Sequence, residues 1–201
     1  KAIGNAVKRI SEIAKIDNLM VGNIHTAHGV FNIVNELSFL DCPIYIRIGI
    51  AGGSPCSTND STGYNRGQIP EINECADWLA ETGSHNIAPQ LIKKVVECDV
   101  RIVADGGIKN SGYASKAFGA GADAVMMGSM LAGTSDSPGE VINNQKRYAG
   151  SAAGGYAEGW KTSEGASFMV NCKGPAENIV RDIEGGLRSS MSYVGARNTH
   201  D

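Results

Sequence analysis

Three predicted β-strands of this chain each end in a glycine-rich turn, and this repeated pattern limits the fold more than any other feature. The apolar segments at residues 47–50, 101–104 and 124–127 run directly into the turns AGGSPCST, DGG and GS. Successive parallel strands place their carboxyl ends at one edge of a sheet, where α/β barrels build their active sites. The pattern therefore predicts an α/β protein with its functional groups gathered at that edge.

Helical and strand patterns alternate along the rest of the chain. Apolar residues at 3, 7, 10 and 14 predict a first helix, and strands are predicted at 19–22, 44–49, 100–104 and 122–127. Further helices are predicted at 26–37, 71–80, 89–97 and 111–118, and from Pro175 onward, where Ile179, Ile183 and Leu187 form one apolar stripe. Such alternation is typical of right-handed βαβ units with a parallel sheet.

Four strands are too few for an eight-stranded barrel, whose usual length is about 250 residues. If the fold is a (β/α)8 TIM barrel, the 201 residues here carry only its C-terminal half. The missing strands then come from upstream sequence or from another polypeptide. No linker or repeat divides the chain, so residues 1–201 are assigned to one domain. Residues 133–167 lack periodicity and hold many small side chains, which predicts a mobile flap.

Composition excludes several functional classes. The net charge is −3 with no block of lysine or arginine, so nucleic acid and acidic membranes are not expected partners. No apolar run is long enough for a signal core or a membrane span, and we expect a soluble, cytoplasmic protein. The five cysteines include no CxxC pair, which indicates neither a disulfide framework nor a zinc site. All of them except Cys56 are expected to be buried.

Cys56 is the candidate nucleophile, because a thiolate on a glycine-rich turn attacks electrophilic carbon well. The alternative is a structural thiol, which is the commoner role of a cysteine. The neighbouring turns favour the functional interpretation, since backbone N–H groups at 52–54, 106–107 and 128–129 suit a phosphate. Each turn alone is also compatible with an ordinary tight turn. Asp105 is either a helix cap or loop acceptor, or a carboxylate that accepts hydrogen bonds from a ribose diol.

Several linked motifs resemble the IMP dehydrogenase and GMP reductase family, and the resemblance runs from about residue 21 to residue 196. They are GIAGGSPCST at 49–58, ADGGI at 104–108, KAFGAGAD at 116–123, MMGSMLAG at 126–133 and SPGE at 137–140. The resemblance implies a purine 5′-nucleotide bound at the mouth of a barrel. It also implies that Cys56 attacks purine C2 and that a nicotinamide cofactor exchanges hydride with that carbon.

The segment after residue 148 resembles the reductase branch of the family. The motifs AGGYAEGWKTSEG at 153–165, DIEGGLRS at 182–189 and YVGA at 193–196 carry this resemblance. The stretch from 148 to 164 is also short for a dehydrogenase flap. The implied reaction is the NADPH-dependent reductive deamination of GMP to IMP, in which Thr58 and Glu164 handle the leaving ammonia. Without the motif, Glu164 is an ordinary surface carboxylate.

The same resemblance assigns the remaining site residues. Phosphate contacts fall to Ser54, Gly107, Gly128 and Ser129, the ribose to Asp105, and further nucleotide contacts to Gly106, Tyr148, Gly150 and Gly165. A monovalent cation such as K⁺ is implied at the backbone carbonyls of Gly53 and Cys56, and the assembly implied is a homotetramer. The residues that bind NADPH stay unassigned.

Two other functions remain open. An NAD-dependent IMP dehydrogenase would need a base that the short flap does not provide. A non-catalytic relative that binds purine nucleotides is favoured by the missing half of the barrel and by three departures from the family pattern. These are Ala51, Ser151 and Lys161, where glycine, methionine and arginine are usual.

Overall fold

The structure is a computed structural model that describes residues 2–81, 93, 95, 97–150 and 165–201. Its strands are β1 (Leu19–Ile24), β2 (Ile44–Ile48), β3 (Val100–Asp105), β4 (Ala124–Met126), β5 (Gln145–Ala149) and β6 (Ser167–Asn171). The helices with described bounds are α1 (Ala2–Ser11), α2 (Ala27–Glu36), α3 (Thr58–Thr62), α4 (Gln68–Ala80), α5 (Ser111–Gly119) and α6 (Ala176–Val194). The helix predicted at 89–97 lies mostly outside the described residues.

The first four strands form one parallel sheet in the order β1-β2-β3-β4. Leu19 pairs with Ile44, Ile44 pairs with Val100, and Val103 pairs with Ala124. Each strand is therefore hydrogen-bonded to the strand that precedes it in the chain, with a helical crossover between them. The prediction of an α/β protein with a parallel sheet is confirmed.

The hydrophobic core lies between the helices and one face of this sheet. Along β2, Ile44, Ile46 and Ile48 are fully buried, whereas the alternate residues Tyr45 and Arg47 are half-buried. Side chains alternate between the two faces of a strand, so the three isoleucines all point toward the helices. Helices α2, α4, α5 and α6 contribute residues to the same core, including Val30, Ile72, Ala117 and Ile183.

Side-chain caps fix where two of the helices begin. The Thr26 hydroxyl accepts a hydrogen bond from the Gly29 N–H at the start of α2, and the Asn110 side chain accepts one from Tyr113 N–H at the start of α5. Threonine and asparagine are favoured at this position because they satisfy an N–H group that lacks a partner within the helix. Thr26 follows the end of β1 by two residues and Asn110 follows the end of β3 by five. Both helices therefore begin near the carboxyl edge of the sheet.

A second, antiparallel sheet joins β5 and β6, with Tyr148 opposite Phe168. The sequence pattern predicts neither strand, and β5 falls inside the predicted flap. Thr134 and Lys146 in that segment are buried, at 1% and 6% exposure. The rest of the predicted flap, residues 151–164, lies outside the described residues.

All five cysteines are free thiols. Cys42, Cys75 and Cys98 are buried as predicted, whereas Cys172 is half-buried, because it lies at the end of the exposed strand pair β5-β6. Within the described ranges, no group of three or more histidine, cysteine or acidic side chains is placed to hold a metal ion. Nor does any helix there combine the length and the apolar character that a membrane crossing requires.

Candidate functional site

A cavity of about 460 Å³ opens at the carboxyl edge of the parallel sheet. Eleven of the twelve residues predicted to be catalytic or to bind substrate line it. They are Ser54, Cys56, Thr58, Asp105, Gly106, Gly107, Gly128, Ser129, Tyr148, Gly150 and Gly165. The twelfth, Glu164, lies outside the described residues. Residues from three successive strand ends and from β5 therefore surround one space.

Cys56 is half-buried in the wall of this cavity, and its Sγ lies 3.2 Å from Thr58 Oγ1. The Cys56 N–H donates to the carbonyl of Gly53 at 3.0 Å, which closes the glycine-rich loop into a tight turn. Thr58 is the first residue of α3, so the hydroxyl beside the thiol is held by a helix. This five-residue helix, which the sequence pattern does not predict, contains no buried residue.

A backbone bridge connects the Cys56 loop with the segment that begins at Gly165. Cys56 and Gly165 form an antiparallel bridge, and the Ala166 N–H donates to the carbonyl of Pro55 at 2.7 Å. The Gly150 N–H in turn donates to the carbonyl of Ala166 at 3.1 Å. These hydrogen bonds join the Cys56 loop to both strands of the β5-β6 sheet.

The loop that contains Cys56 packs backbone against backbone on the turn that follows β3. A Cβ atom on Gly106, whose φ is +93°, would lie 2.9 Å from the carbonyl carbon of Gly52. A Cβ atom on Gly49, whose φ is +132°, would overlap the carbonyl oxygen of Asp105. The Gln68 side-chain amide also donates to the Gly106 carbonyl. Glycine is required at positions 49 and 106 by both the close approach and the positive φ.

Ala51 adopts a φ of +62°, in the left-handed region that favours glycine. The residue precedes Gly52 in the wall of the cavity. The departure from glycine at this position therefore adds local strain, of order 1–2 kcal/mol for a residue with a Cβ atom.

Asp105 is anchored by two side chains that the sequence analysis does not assign. Arg47 donates to Asp105 Oδ2 from Nε at 3.0 Å and from Nη2 at 2.6 Å, and Asn23 Nδ2 donates to the same oxygen at 2.6 Å. The Asp105 side chain is only 16% exposed. These contacts within the described residues all fall on Oδ2, so Oδ1 is the oxygen left to accept a hydrogen bond from a ligand. The sequence signal for Arg47 is a charged residue within an apolar strand.

Gly128, Ser129 and Tyr148 also line the cavity. A Cβ atom on Gly128 would lie 2.7 Å from Tyr148 Oη, so the phenol hydroxyl sits directly against the glycine. Burial raises the pKa of Tyr148 above its ordinary value. The phenol therefore stays protonated at neutral pH and supplies an O–H donor beside the two backbone residues.

Glu71 is a buried carboxyl group behind the wall of the cavity. The residue is fully buried in α4, and neither carboxyl oxygen makes a hydrogen bond of normal geometry within the described residues. The carboxyl faces the backbone N–H groups of Arg66 and Ile50, and Ile50 lines the cavity. Burial raises the pKa of Glu71 to about 7, because removal from water disfavours the charged form.

A family model and individual known proteins that match this chain point to the same family. The whole chain, residues 1–201, matches the family described as IMP dehydrogenase / GMP reductase domain. GMP reductase 2 of Bos taurus is 39% identical over 190 residues, which cover 89% of this chain and 48% of that protein. GMP reductase 2 of Homo sapiens is 38% identical over the same shares of the two chains.

A bacterial relative, GMP reductase of Aeromonas hydrophila, is 36% identical over 202 residues, which cover 94% of this chain and 52% of the relative. The chain thus spans about half the length of the curated relatives it matches. The family match covers every element described above, including the three glycine-rich strand ends and Cys56. The chain belongs to the IMP dehydrogenase/GMP reductase family.

Proposed function

We propose that this chain carries the purine-nucleotide site of an NADPH-dependent GMP reductase, which converts GMP to IMP and ammonia. The observation that carries the proposal is the half-buried Cys56 thiol, 3.2 Å from the Thr58 hydroxyl, in a cavity lined by glycine-rich loops. Relatives named GMP reductase that align over most of the chain support the same reaction.

GMP would lie along the carboxyl edge of the sheet. Its phosphate would accept hydrogen bonds from the groups at Ser54, Gly107, Gly128 and Ser129, with the Tyr148 O–H as a further donor. Asp105 Oδ1 would accept from the ribose, because Oδ2 is already held by Arg47 and Asn23. Gly106, Gly150 and Gly165 would shape the wall through their backbone, since they line the same cavity.

The reaction then has two steps. The Cys56 thiolate attacks purine C2 and forms a C–S bond, while the 2-amino group leaves as ammonia with a proton delivered by Thr58 and Glu164. A thioimidate on Cys56 remains. When bound, NADPH supplies the hydride that C2 must gain. The C–S bond then breaks, IMP leaves and the thiolate is regenerated. Covalent catalysis of this kind replaces one difficult displacement by two easier steps.

Thr58 and Glu164 differ in what supports their proposed roles. Thr58 contacts the Cys56 thiol directly. Glu164 rests on the motif and on its neighbour in sequence, since Gly165 pairs with Cys56. A positioned proton donor of this kind typically contributes a rate factor of about 10²–10⁴.

The described residues do not by themselves form a site for the nicotinamide cofactor or for K⁺. The donors around the cavity are accounted for by one nucleotide, so we assign none of them to NADPH. The Gly53 carbonyl proposed as a K⁺ ligand already accepts the Cys56 N–H, and two carbonyls are too few to enclose the ion. We therefore derive no step through a cation.

We also propose that the parallel sheet is part of a (β/α)8 barrel with residues 1–201 in one domain. Its face opposite the helices carries the half-buried Tyr45 and Arg47, whereas parallel sheets are normally covered on both faces. Four further strands, from upstream sequence or from another chain, would cover that face. A homotetramer and a flap at 133–167 belong to the same proposal.

Two assays test the proposed function. The protein is incubated with GMP plus NADPH, and separately with IMP plus NAD, and the absorbance of the reduced cofactor is followed at 340 nm. We expect turnover with GMP plus NADPH only. Turnover with IMP plus NAD would instead indicate a dehydrogenase. Nucleotide binding without turnover in either assay would indicate a non-catalytic relative.

Cys56→Ala identifies the nucleophile in the same assay. We expect turnover to be abolished while GMP binding stays within about tenfold, because the phosphate and ribose contacts lie elsewhere. Cys172→Ala is the matched control, since Cys172 is also half-buried but does not line the cavity. Hydride transfer by Cys56→Ala would refute the covalent mechanism.

A further inference from the structure

Lys173, two residues after the end of β6, holds the turn that follows β4. Its Nζ donates to the carbonyl of Ser129 at 3.1 Å and to that of Met130 at 2.9 Å. Its backbone N–H donates to the carbonyl of Gly133 at 2.6 Å. Lys173 does not line the cavity, although Ser129 does. The ammonium group therefore touches the side of the turn that faces away from the proposed nucleotide.

The carbonyl groups of this turn accept hydrogen bonds from the protein, whereas two of its N–H groups are left to donate to a ligand. The Gly128 carbonyl accepts from the N–H groups of Leu131 and Ala132 at 3.1 and 3.0 Å. The N–H and C=O groups of a planar trans peptide point in opposite directions, so the Ser129 N–H points away from those partners. Within the described ranges, the N–H groups of Gly128 and Ser129 have no hydrogen-bond acceptor.

We propose that Lys173 is a positioning residue for the 5′-phosphate of the nucleotide. Lys173 fixes the Met130 carbonyl, and the Leu131 N–H of that same peptide donates to the Gly128 carbonyl. The Gly128 carbonyl shares its peptide with the Ser129 N–H, so this chain of contacts holds the Ser129 N–H toward the cavity before the phosphate arrives. Donors that are oriented in advance bind an anion more strongly than donors that must be ordered on binding. Its positive charge also favours an anion on the far side of the turn. This inference rests on the proposed function for the nucleotide and for the position of its phosphate.

A second lysine provides the internal comparison. Lys146 is buried, and its Nζ donates to the carbonyls of Thr134, Ser135 and Ser137 at 2.9, 3.4 and 2.6 Å. It thus has the same chemistry as Lys173, but it holds the next stretch of chain and not the residues that face the cavity. We assign Lys146 to the stability of the fold and Lys173 to the phosphate site.

The test compares a nucleotide with its nucleoside. Dissociation constants for GMP, guanosine and inorganic phosphate are measured by calorimetry on the full protein and on Lys173→Met. Loss of a charge-assisted contact predicts that the variant binds GMP and phosphate about tenfold more weakly, with guanosine within about twofold. Lys173→Arg should restore most of the loss. Lys15→Met is the charge-matched control, because the Lys15 side chain is 87% exposed and forms an ion pair with the exposed Asp17.

Several outcomes overturn the proposal. One is a Lys173→Met variant that loses the same affinity for GMP as for guanosine, and another is a variant that loses no affinity at all. A third is a Lys146→Met variant that changes the ratio of the GMP and guanosine dissociation constants as much as Lys173→Met does. If Lys173→Met does not give the wild-type circular dichroism, Lys173→Gln replaces it. Wild-type protein that binds neither GMP nor phosphate refutes the phosphate site and this inference together. GMP binding that depends on Lys173 without turnover refutes the proposed reaction alone.

Discussion

Replacing Glu71 with glutamine tests whether a buried carboxyl group sets the pH dependence of stability. Burial raises the pKa of Glu71 to about 7, from an ordinary value near 4.5. In the unfolded chain the group ionises at the lower pH, so between these two values the native state binds more protons than the unfolded state. The sign follows from linkage: the free energy of unfolding falls as pH rises through this window.

The size of the effect follows from the two pKa values. Each tenfold difference in acidity corresponds to about 1.4 kcal/mol, so the raised pKa of Glu71 costs the fold about 2 kcal/mol at pH 6, where the native carboxyl is still mostly protonated, and about 3 kcal/mol at pH 8. Glutamine has nearly the same shape and carries no charge. Relative to the wild type, Glu71→Gln should therefore gain less than about 0.5 kcal/mol at pH 4.5 and about 3 kcal/mol at pH 8.

Urea denaturation followed by circular dichroism at pH 4.5, 6, 7 and 8 measures this difference. Glu74→Gln is the control on the same helix, because Glu74 accepts the Ala27 N–H and pairs with Arg66, and these contacts hold its pKa below the ordinary value. That variant should lose stability at neutral pH, the opposite sign. A difference between Glu71→Gln and wild type that does not change with pH would refute the reasoning.

Two further predictions concern the cavity. Gly128→Ala places a Cβ atom against Tyr148 Oη and should weaken GMP binding by about tenfold or more, with partial recovery when Tyr148→Phe is added; calorimetry that gives an unchanged GMP affinity would contradict the close approach. Asp105→Asn should reduce the preference for GMP over its 2′-deoxy form from about tenfold toward one, because the charged acceptor for the ribose is lost. An unchanged ratio in competition binding would remove Asp105 from the ribose site.

The parallel sheet is predictable from the sequence because its strands are short, mostly apolar segments that run into glycine-rich turns. The predicted strands at 44–49 and 100–104 agree with β2 (Ile44–Ile48) and β3 (Val100–Asp105) to within one residue at either end. Burial of one face against the helices demands apolar residues at alternate positions, such as Ile44, Ile46 and Ile48, and the glycines that follow the strands mark their ends. The same two signals led directly to Cys56, Asp105 and Gly128, which the structure brings to one cavity.

The β5-β6 sheet is not predictable in this way, because its buried position carries a charge. Lys146 is the inward-facing residue of β5, and its ammonium group is satisfied by backbone carbonyls of the neighbouring turn. With a lysine at its buried position, such a strand has the hydropathy pattern that predicts a polar loop. The partnership of Arg47 with Asp105 is hidden for another reason, since the two residues are 58 positions apart and meet only across the β2-β3 pair.

The contact of Gly106 with Gly52 has a consequence for altering specificity by mutagenesis. The floor of the cavity at these positions is main chain on main chain, so a library of side chains introduced there would mostly produce misfolded loops. Main-chain donors also recognise negative charge and shape, which every purine nucleotide shares at its phosphate end. A change of specificity toward another purine base therefore has to use cavity positions that carry side chains, such as Ile50 and Met126. Gly52 and Gly106 have to be kept.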